Sequence, residues 1–409
     1  MNHEKLKQYA KLAVEVGLEI KEGDVVLINS PIAAAEFTRE VVRAAYEAGA
    51  KDVEINWQDD AITRMRYENE PLSQFENFPE WRKMKMNDYG DRGCKALSIS
   101  ASDPDLLAGI DSDKIIAAQR AGSEALKNYR DKMMRDENSW CVLSVPTPAW
   151  AKKIFPEKSE EEAVASLWEL IFKATRMDEQ DPVAAWNDHL NTLGEKTKAL
   201  QELDLAEVHY ETAKGTDLTV KLPEGHLWVS GLSKNKKGEI FVPNLPTEEV
   251  FSMPDKYGVN GVLHSTKPLV YGGQLIDDFT LEFKEGRVEN YSAKTGEKAL
   301  SELFSVDEGA RYLGEIALVP HRSPISDTGV TFFNTLFDEN ASCHFAFGEA
   351  YPTNVEGGEH LSKEELEERH VNTSLVHEDF MVGDETLNIT GTTKSGEKVA
   401  IFKNGAWAI

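Results

Sequence analysis

Two stretches in the second half of this 409-residue chain place histidines and carboxylates among apolar residues. The stretch 335–352, "TLFDENASCHFAFGEAYP", carries His344 between aromatic residues, and the stretch 375–383, "LVHEDFMVG", carries His377 and Asp379 two positions apart. Because successive residues of a strand face opposite sides, His377 and Asp379 would share one face of a strand. An imidazole and a carboxylate that converge in this way suit a divalent metal ion.

Further carboxylates lie in apolar surroundings upstream. Glu315 sits in "YLGEIALVP" (312–320), and a carboxylate in a buried strand is costly unless it is paired or binds a metal. Taken alone, Glu315 and its apolar neighbours are equally consistent with a functional role and a structural role. Glu248 and Glu249 are adjacent in "NLPTEEVFSMP" (244–254), so only one of them can point into a given site. Taken alone, that pair is more simply interpreted as exposed residues at the start of a strand.

The combined set predicts a metal centre more strongly than any single motif does. Nitrogen and oxygen ligands without thiolates suit zinc, cobalt, manganese or magnesium. The carboxylates exceed what one ion needs, which indicates two ions sharing a bridging carboxylate and a water. Cys343 next to His344 is a conceivable nucleophile pair, but neighbours on a strand face apart, which disfavours it.

The first half of the chain must supply a scaffold of alternating strands and helices. Apolar runs at 24–29 and 51–57 flank a helical pattern at 34–49 that ends near Gly49. The same alternation continues with strands at 95–101 and 140–146 and a helix at 112–134 between them. This pattern predicts an open α/β sheet. No Gly-rich phosphate loop follows the first strand, so a dinucleotide site is disfavoured.

The pattern changes near residue 204. Residues 158–203 are predicted to be helical, and Ser159 with Glu162 forms a capping-box sequence. From 205 onward short strands separated by turns dominate, with helices predicted at 295–305 and 362–370. The predicted organisation is therefore an N-terminal α/β domain (1–204) and a C-terminal α+β, mostly β, domain (205–409) that carries the metal site.

Composition limits the partners and the compartment. The formal net charge of −26 offers no basic face for nucleic acid, and a solubilising surface is its simpler explanation. No apolar run approaches the ~18 residues of a membrane span. The start lacks the apolar core of a secretory signal. Three widely spaced cysteines make a disulfide framework unlikely, so a cytoplasmic location is expected.

Four stretches together resemble the M29 family of metallo-aminopeptidases. They are "NLPTEEVFSMP", "GEIALVP", "NTLFDENASCHFAFGEAYP" and "HEDFMVG", and the resemblance extends to "GDVVLINSP" and "SASDPDLLAGIDSDKI" in the first half. It implies a homodimer whose subunits have an N-terminal α/β domain and a C-terminal catalytic domain with a barrel-like β core. It also implies that two divalent metal ions support the removal of N-terminal residues from peptides.

The resemblance assigns roles to particular residues. The implied metal ligands are Glu249, Glu315, Glu339, His344, His377 and Asp379. Tyr351 is the implied catalytic residue, a phenol that stabilises the oxyanion or donates a hydrogen bond. The choice of Glu249 over Glu248, and of Glu339 over Asp338, rests on the resemblance. Glu248 and Glu349 are candidates for a general base.

The leading hypothesis is a dinuclear aminopeptidase acting on short peptides with a free N-terminus, with zinc, cobalt or magnesium as the ions. A metal-dependent amidase or carboxypeptidase that hydrolyses another amide is a second hypothesis. A metal- or peptide-binding protein without turnover is a third.

Overall fold

A computed structural model describes residues 3–272 and 274–409 as two compact units. The N-terminal unit comprises the chain up to Leu190 together with Gly231–Thr247 and Phe332–Leu336. The C-terminal unit comprises Asn191–Ser230, Glu248–Thr331 and Phe337–Ile409. A division of the domains at residues 204 and 205 stays a prediction.

Helices occupy much of the N-terminal unit and little of the C-terminal unit. The described residues form α1 (His3–Leu12), α2 (Ala35–Glu47), α3 (Asp60–Asn69), α4 (Glu80–Asp91), α5 (Ser112–Ala125), α6 (Lys127–Met134), α7 (Pro148–Ile154), α8 (Glu160–Ala174), α9 (Pro182–Glu202), α10 (Glu297–Leu303), α11 (Thr335–Asp338) and α12 (Lys363–Glu368). The predicted capping box of Ser159 with Glu162 forms at the start of α8. A second one, Ser362 with Glu365, begins α12. No helix of the described chain is both long and apolar enough to cross a membrane.

The strands are mostly short. In chain order they are β1 (Val25–Pro31), β2 (Asp52–Gln58), β3 (Lys95–Ile99), β4 (Trp140–Leu143), β5 (Leu205–Glu211), β6 (Asp217–Lys221), β7 (Val229–Ser230), β8 (Ser233–Lys234), β9 (Ile240–Phe241), β10 (Asn244–Leu245), β11 (Val250–Ser252), β12 (Val259–His264), β13 (Leu269–Tyr271), β14 (Gln274–Lys284), β15 (Arg287–Thr295), β16 (Leu313–Leu318), β17 (His344–Gly348), β18 (His377–Met381), β19 (Asn388–Thr393), β20 (Lys398–Lys403) and β21 (Ala406–Trp407).

The N-terminal unit is built on a parallel sheet, which confirms the α/β prediction. Its strand order is β10-β4-β3-β1-β2, and every neighbouring pair is parallel. The inner strand β1 carries Val26, Leu27 and Ile28, all fully buried, as expected of a strand covered on both faces.

The C-terminal unit is mostly antiparallel β structure, again as predicted. One nine-stranded sheet follows the order β13-β14-β12-β6-β5-β19-β20-β21, with β15 paired to β14. A second sheet has the order β18-β17-β16-β11-β7, and its paired strands are antiparallel. Both sheets contribute to one hydrophobic core, and the second sheet carries most of the predicted site residues.

Candidate metal centre

Strand register places four predicted ligands on one face of the five-stranded sheet. Glu315 of β16 lies opposite Ala346 of β17, which in turn lies opposite Asp379 of β18. His344 and His377 are two residues from Ala346 and Asp379 respectively, so they share this face. The predicted common orientation of His377 and Asp379 is confirmed. We call this side of the sheet the ligand face.

The opposite face of the same strands is mostly apolar, with Glu378 of β18 as an exception. Phe345 and Phe347 of β17 are fully buried and belong to the hydrophobic core. The rings of Phe347 and Phe380 stack with centroids 4.1 Å apart. These rings pack as core residues, and their packing holds the strands whose other face carries the candidate ligands.

Two glycines let neighbouring backbone approach the ligand strands. Gly348 has φ +95°, and a Cβ there would lie 2.1 Å from the carbonyl oxygen of Val376. A Cβ on Gly314 would lie 2.4 Å from the carbonyl oxygen of Glu349, at the point where the register of β16 shifts just before Glu315. Only glycine fits at these positions, because another side chain would collide with backbone.

The first group of potential ligands surrounds His344. Its Nε2 atom lies 3.1 Å from Glu249 Oε2 and 3.5 Å from Glu315 Oε1. The three residues are buried, and Glu249 directly precedes β11. Their ligand atoms all lie within 4.8 Å of one another, which is a spacing that a single cation can span.

The second group shares Glu315 with the first. His377 Nε2 lies 3.5 Å from Glu315 Oε2 and 3.6 Å from Asp379 Oδ1. Each oxygen of Glu315 therefore faces a different histidine. His377 and Asp379 keep 19% and 14% of their side chains exposed, whereas His344 keeps 1%, so the second group is the more accessible one.

Backbone carbonyls orient both imidazoles. The Nδ1 atom of His344 lies 3.1 Å from the carbonyl oxygen of Ser342, and that of His377 lies 2.7 Å from the carbonyl oxygen of Glu349. A carbonyl oxygen only accepts, so each Nδ1–H donates. In the neutral imidazole the lone pair then lies on Nε2, which points into the ligand group, as metal-binding histidines require.

The surrounding carboxylates raise the pKa of both histidines. Burial by itself lowers the pKa of His344, but the carboxylates of Glu249 and Glu315 outweigh it and hold the pKa well above the usual value. Burial likewise lowers the pKa of His377. The negative charge of Asp379 outweighs burial, so the pKa rises to about 10. Both positions strongly favour positive charge.

The carboxylates repel one another in a buried space. The pKa of Glu315 is raised to about 7. Burial is the largest cause of the rise, the hydrogen bond of His344 opposes it, and the charge of Asp379 adds to it. Burial, followed by the charges of Asp379 and Glu249, holds the pKa of Glu339 well above its usual value. Grouped carboxylates of this kind need protons or cations to offset their charge.

Unsatisfied oxygen atoms show that the group fits a cation. Glu249 Oε2 and Asp379 Oδ1 are buried and accept no hydrogen bond from the described residues. The nearest imidazole nitrogens lie 3.1 and 3.6 Å away, close enough for an ion pair when the histidine is protonated. Buried carboxylate oxygens without donors are costly, and a divalent ion would satisfy them.

Glu339 lies beside these groups, in a 3₁₀ turn at Glu339–Ala341. It is buried, and it interacts electrostatically with both groups, although it belongs to neither triplet. Asn340 connects this turn to the strand that follows Glu249. Its Nδ2 atom donates to Glu339 Oε1 at 3.2 Å, and its Oδ1 atom accepts from the backbone N–H of Glu248 at 2.8 Å.

Tyr351 follows the ligand strand β17 and packs against His377, with ring centroids 5.0 Å apart. Burial, and then the negative charges of Glu315 and Asp379, raise the pKa of Tyr351 well above its usual value. The phenol is therefore a proton donor in hydrogen bonds rather than a base.

Sequence patterns missed two kinds of contributor. The sequence pattern gave no role to Asn340 in "FDENASCH". An amide between a carboxylate and an apolar run is a signal of a buried side chain that hydrogen-bonds to neighbouring segments, and Asn340 is buried. The backbone carbonyls that orient the histidines have no signature in side-chain types. The Glu349 side chain, considered as a general base, accepts a hydrogen bond from the backbone N–H of Ser374.

The chain is similar to known aminopeptidases along its whole length. The family profile "Thermophilic metalloprotease (M29)" matches residues 2–407. Aminopeptidase AmpS of Bacillus subtilis (strain 168) is 49% identical, over 99% of this chain and 98% of its own. Aminopeptidase 2 of Geobacillus stearothermophilus is 48% identical, over 98% and 97%. The solved structure of wild-type AmpT from Thermus thermophilus superposes with a TM-score of 0.91 at 38% identity, covering 99% of each chain.

Proposed function

This chain belongs to the M29 family of thermophilic metalloproteases and is a metallo-aminopeptidase, and from that premise we propose that it uses two divalent metal ions bound on the ligand face. The observation that carries this proposal is the position of Glu315, which is shared by two groups of three potential ligands. A carboxylate with one oxygen directed to each group is suited to bridge a pair of ions.

Charge supports the same number of ions. The proposed ligand set includes four carboxylates, Glu249, Glu315, Glu339 and Asp379, and two imidazoles. When ionised, the carboxylates carry four negative charges, which two divalent cations would neutralise. The proposed first site uses Glu249 and His344, and the proposed second site uses His377 and Asp379. Glu339 adds a further carboxylate next to both. Zinc, cobalt and magnesium are the candidate ions.

The residues divide the chemistry between them. Divalent ions bound here would supply Lewis acidity to the scissile carbonyl and lower the pKa of the attacking water. Tyr351 keeps its proton and donates it in a hydrogen bond to the carbonyl oxygen as negative charge develops there. A free α-amino group of a peptide would bind one of the ions or a neighbouring carboxylate. That interaction would account for a preference for substrates with a free N-terminus.

A metal-exchange experiment tests the proposal. Chelation is expected to abolish the release of N-terminal residues from short peptides, and added zinc, cobalt or magnesium is expected to restore it. Elemental analysis of the restored enzyme should give two ions per chain. An N-acetylated copy of the same peptide should not be cleaved. Full activity in a sample shown to contain no metal would refute the two-ion proposal.

Two further features concern the assembly and the compartment. We infer a cytoplasmic enzyme, which is supported by three cysteines, Cys94, Cys141 and Cys343, that are all buried and unpaired. We also infer a homodimer. Exposed apolar side chains on α3 and α4, including Trp81 and Met84, support an interface on the N-terminal unit.

A further inference from the structure

Phe251 is an aromatic residue on the ligand face. It lies opposite Ala317 of β16, and Ala317 lies opposite His344 of β17, so the three side chains share that face. The neighbours of Phe251 in β11, Val250 and Ser252, point to the other side and are buried. Phe251 is therefore placed with the ligands and away from the hydrophobic core.

The same strand brings Phe251 close to a proposed ligand. Glu249 precedes it by two residues, and such residues face the same side about 6.6 Å apart. A peptide whose first carbonyl lies at the metal centre has its first side chain on the adjoining Cα, within a few ångströms. The spacing of Glu249 and Phe251 along the strand is comparable to the length over which such a side chain extends.

Aromatic contacts join Phe251 to the accessible end of the site. Its ring meets that of Tyr351 edge-on with centroids 6.0 Å apart, and Tyr351 meets His377 in the same manner at 5.0 Å. Phe251 and Tyr351 both remain partly exposed, in contrast to the fully buried Phe345 and Phe347 of the opposite face. An apolar surface thus begins where the ligand group opens.

Backbone contacts hold this surface in place. Asn354, in the turn after Tyr351, is buried, and its Nδ2 atom donates to the carbonyl oxygens of Leu227 at 3.3 Å and Phe251 at 3.5 Å. The segment with Phe251 and the segment with Tyr351 are therefore tied together. A pre-organised apolar surface binds an apolar group with little loss of conformational entropy.

We propose that Phe251 is a specificity-determining residue that contacts the side chain of the substrate's N-terminal residue and favours large apolar side chains. This proposal rests on the proposed metal ligands, since these position the scissile carbonyl. A single partly exposed phenylalanine is common on protein surfaces. What distinguishes Phe251 is its place on the ligand face, two residues from Glu249 and in contact with Tyr351.

The test compares substrates rather than variants alone. Wild type, Phe251→Ala and Phe251→Leu are assayed with aminoacyl p-nitroanilides of phenylalanine, leucine and alanine. In Phe251→Ala the ratio of kcat/KM for phenylalanine to that for alanine is expected to fall about tenfold, since a lost apolar contact of this size is worth at least that factor. KM should carry much of the change, and the metal content should equal that of wild type.

The matched control is Phe155→Ala, which removes a partly exposed phenylalanine from the N-terminal unit and should leave the ratio unchanged. An unchanged ratio in Phe251→Ala, or an equal loss on all three substrates, overturns the proposal.

If Phe251→Ala does not fold, Phe251→Leu decides. A shift of about threefold from phenylalanine towards leucine supports the proposal, and no shift overturns it. Glu315→Gln distinguishes failure of the proposed metal centre from failure of the proposed role of Phe251. Activity retained in Glu315→Gln would refute the metal centre itself.

Discussion

At the scale of single residues, the proposed metal centre depends on one carboxylate that lies near two imidazoles. Glu315 lies 3.5 Å from both His344 and His377, one oxygen to each, within a strand that is buried throughout. No other residue belongs to both triplets of potential ligands in the described parts of the chain. Its charge is thus expected to matter more than its volume.

Glu315→Gln tests this expectation with almost no change in shape. The amide can donate to a carboxylate but cannot bridge two cations. We therefore expect kcat/KM to fall by more than about 100-fold, a larger loss than is usual when a hydrogen-bond partner of a metal ligand is removed. Elemental analysis should show fewer than two ions per chain, while circular dichroism should match wild type.

The control for that variant lies one residue from another proposed ligand, Asp379. Glu378 pairs with Phe347 and so turns to the face opposite Asp379. Glu378→Gln should therefore keep the metal content and most of the activity. Wild-type turnover in Glu315→Gln, or an equal loss in both variants, would contradict the assignment of Glu315 as the bridge.

We expect Asn340 to position the proposed ligands rather than to bind metal. It is fully buried, donates to Glu339 and accepts from the backbone of Glu248. Asn340→Ala should weaken metal binding and lower kcat/KM by about 10–100-fold, as is usual for partners of metal ligands. A titration with zinc should show the lower affinity, and excess zinc should restore part of the activity.

An exposed asparagine provides the comparison for Asn340. Asn290 also donates to a glutamate, Glu282, at 2.8 Å, but on the surface of β15. Asn290→Ala should leave the zinc affinity as it is. If Asn340→Ala loses stability but binds zinc like wild type, the amide supports the fold and does not position the ligands.

At the scale of elements, the backbone just before Glu315 in β16 passes close to a neighbouring segment. A Cβ on Gly314 would lie 2.4 Å from the carbonyl oxygens of Gly348 and Glu349. Gly314→Ala should therefore force the strand to move. We expect a loss of about 1–3 kcal/mol in stability together with a lower metal content.

The matched glycine lies in helix α9. Gly194 is exposed and has open space around its Cα, so Gly194→Ala should stabilise the protein by about 0.5–1 kcal/mol. Thermal unfolding of the two variants measures the contrast. A Gly314→Ala protein with the unfolding temperature and metal content of wild type would show that the close approach at Gly314 is dispensable.

Sequence patterns predicted the elements better than their association. The alternation in "HEDFM" correctly placed His377 and Asp379 on one face, and the buried run around Glu315 correctly predicted a strand. The convergence of β16, β17 and β18 could not be read from local patterns, because it depends on strand pairing between segments about 30 residues apart. Glu339 lies in a 3₁₀ turn, where no strand periodicity applies.

At the scale of the whole molecule, bound ions should stabilise the fold. Because ions that bind only the folded state shift the unfolding equilibrium, saturation at about 100 times the dissociation constant adds roughly 2.7 kcal/mol per site. The chelated enzyme should unfold at a lower temperature than the zinc-loaded enzyme, as measured by differential scanning calorimetry. Glu315→Gln should show a smaller difference, and an equal difference in wild type and variant would place the stabilising ions elsewhere.

We predict a homodimer that forms through an exposed apolar surface of the N-terminal unit. Helix α3 contains no fully buried residue and α4 only Gly90, while Trp81 and Met84 on α4 are each 64% exposed. Apolar side chains this exposed on neighbouring elements are typical of an interface. Light scattering should give about twice the 45.7 kDa of one chain, and Trp81→Glu combined with Met84→Glu should halve that mass. Tyr257→Glu, an exposed aromatic of the C-terminal unit, is the control and should remain dimeric. A monomeric wild type would refute the dimer, and a dimeric double variant would place the interface on another surface.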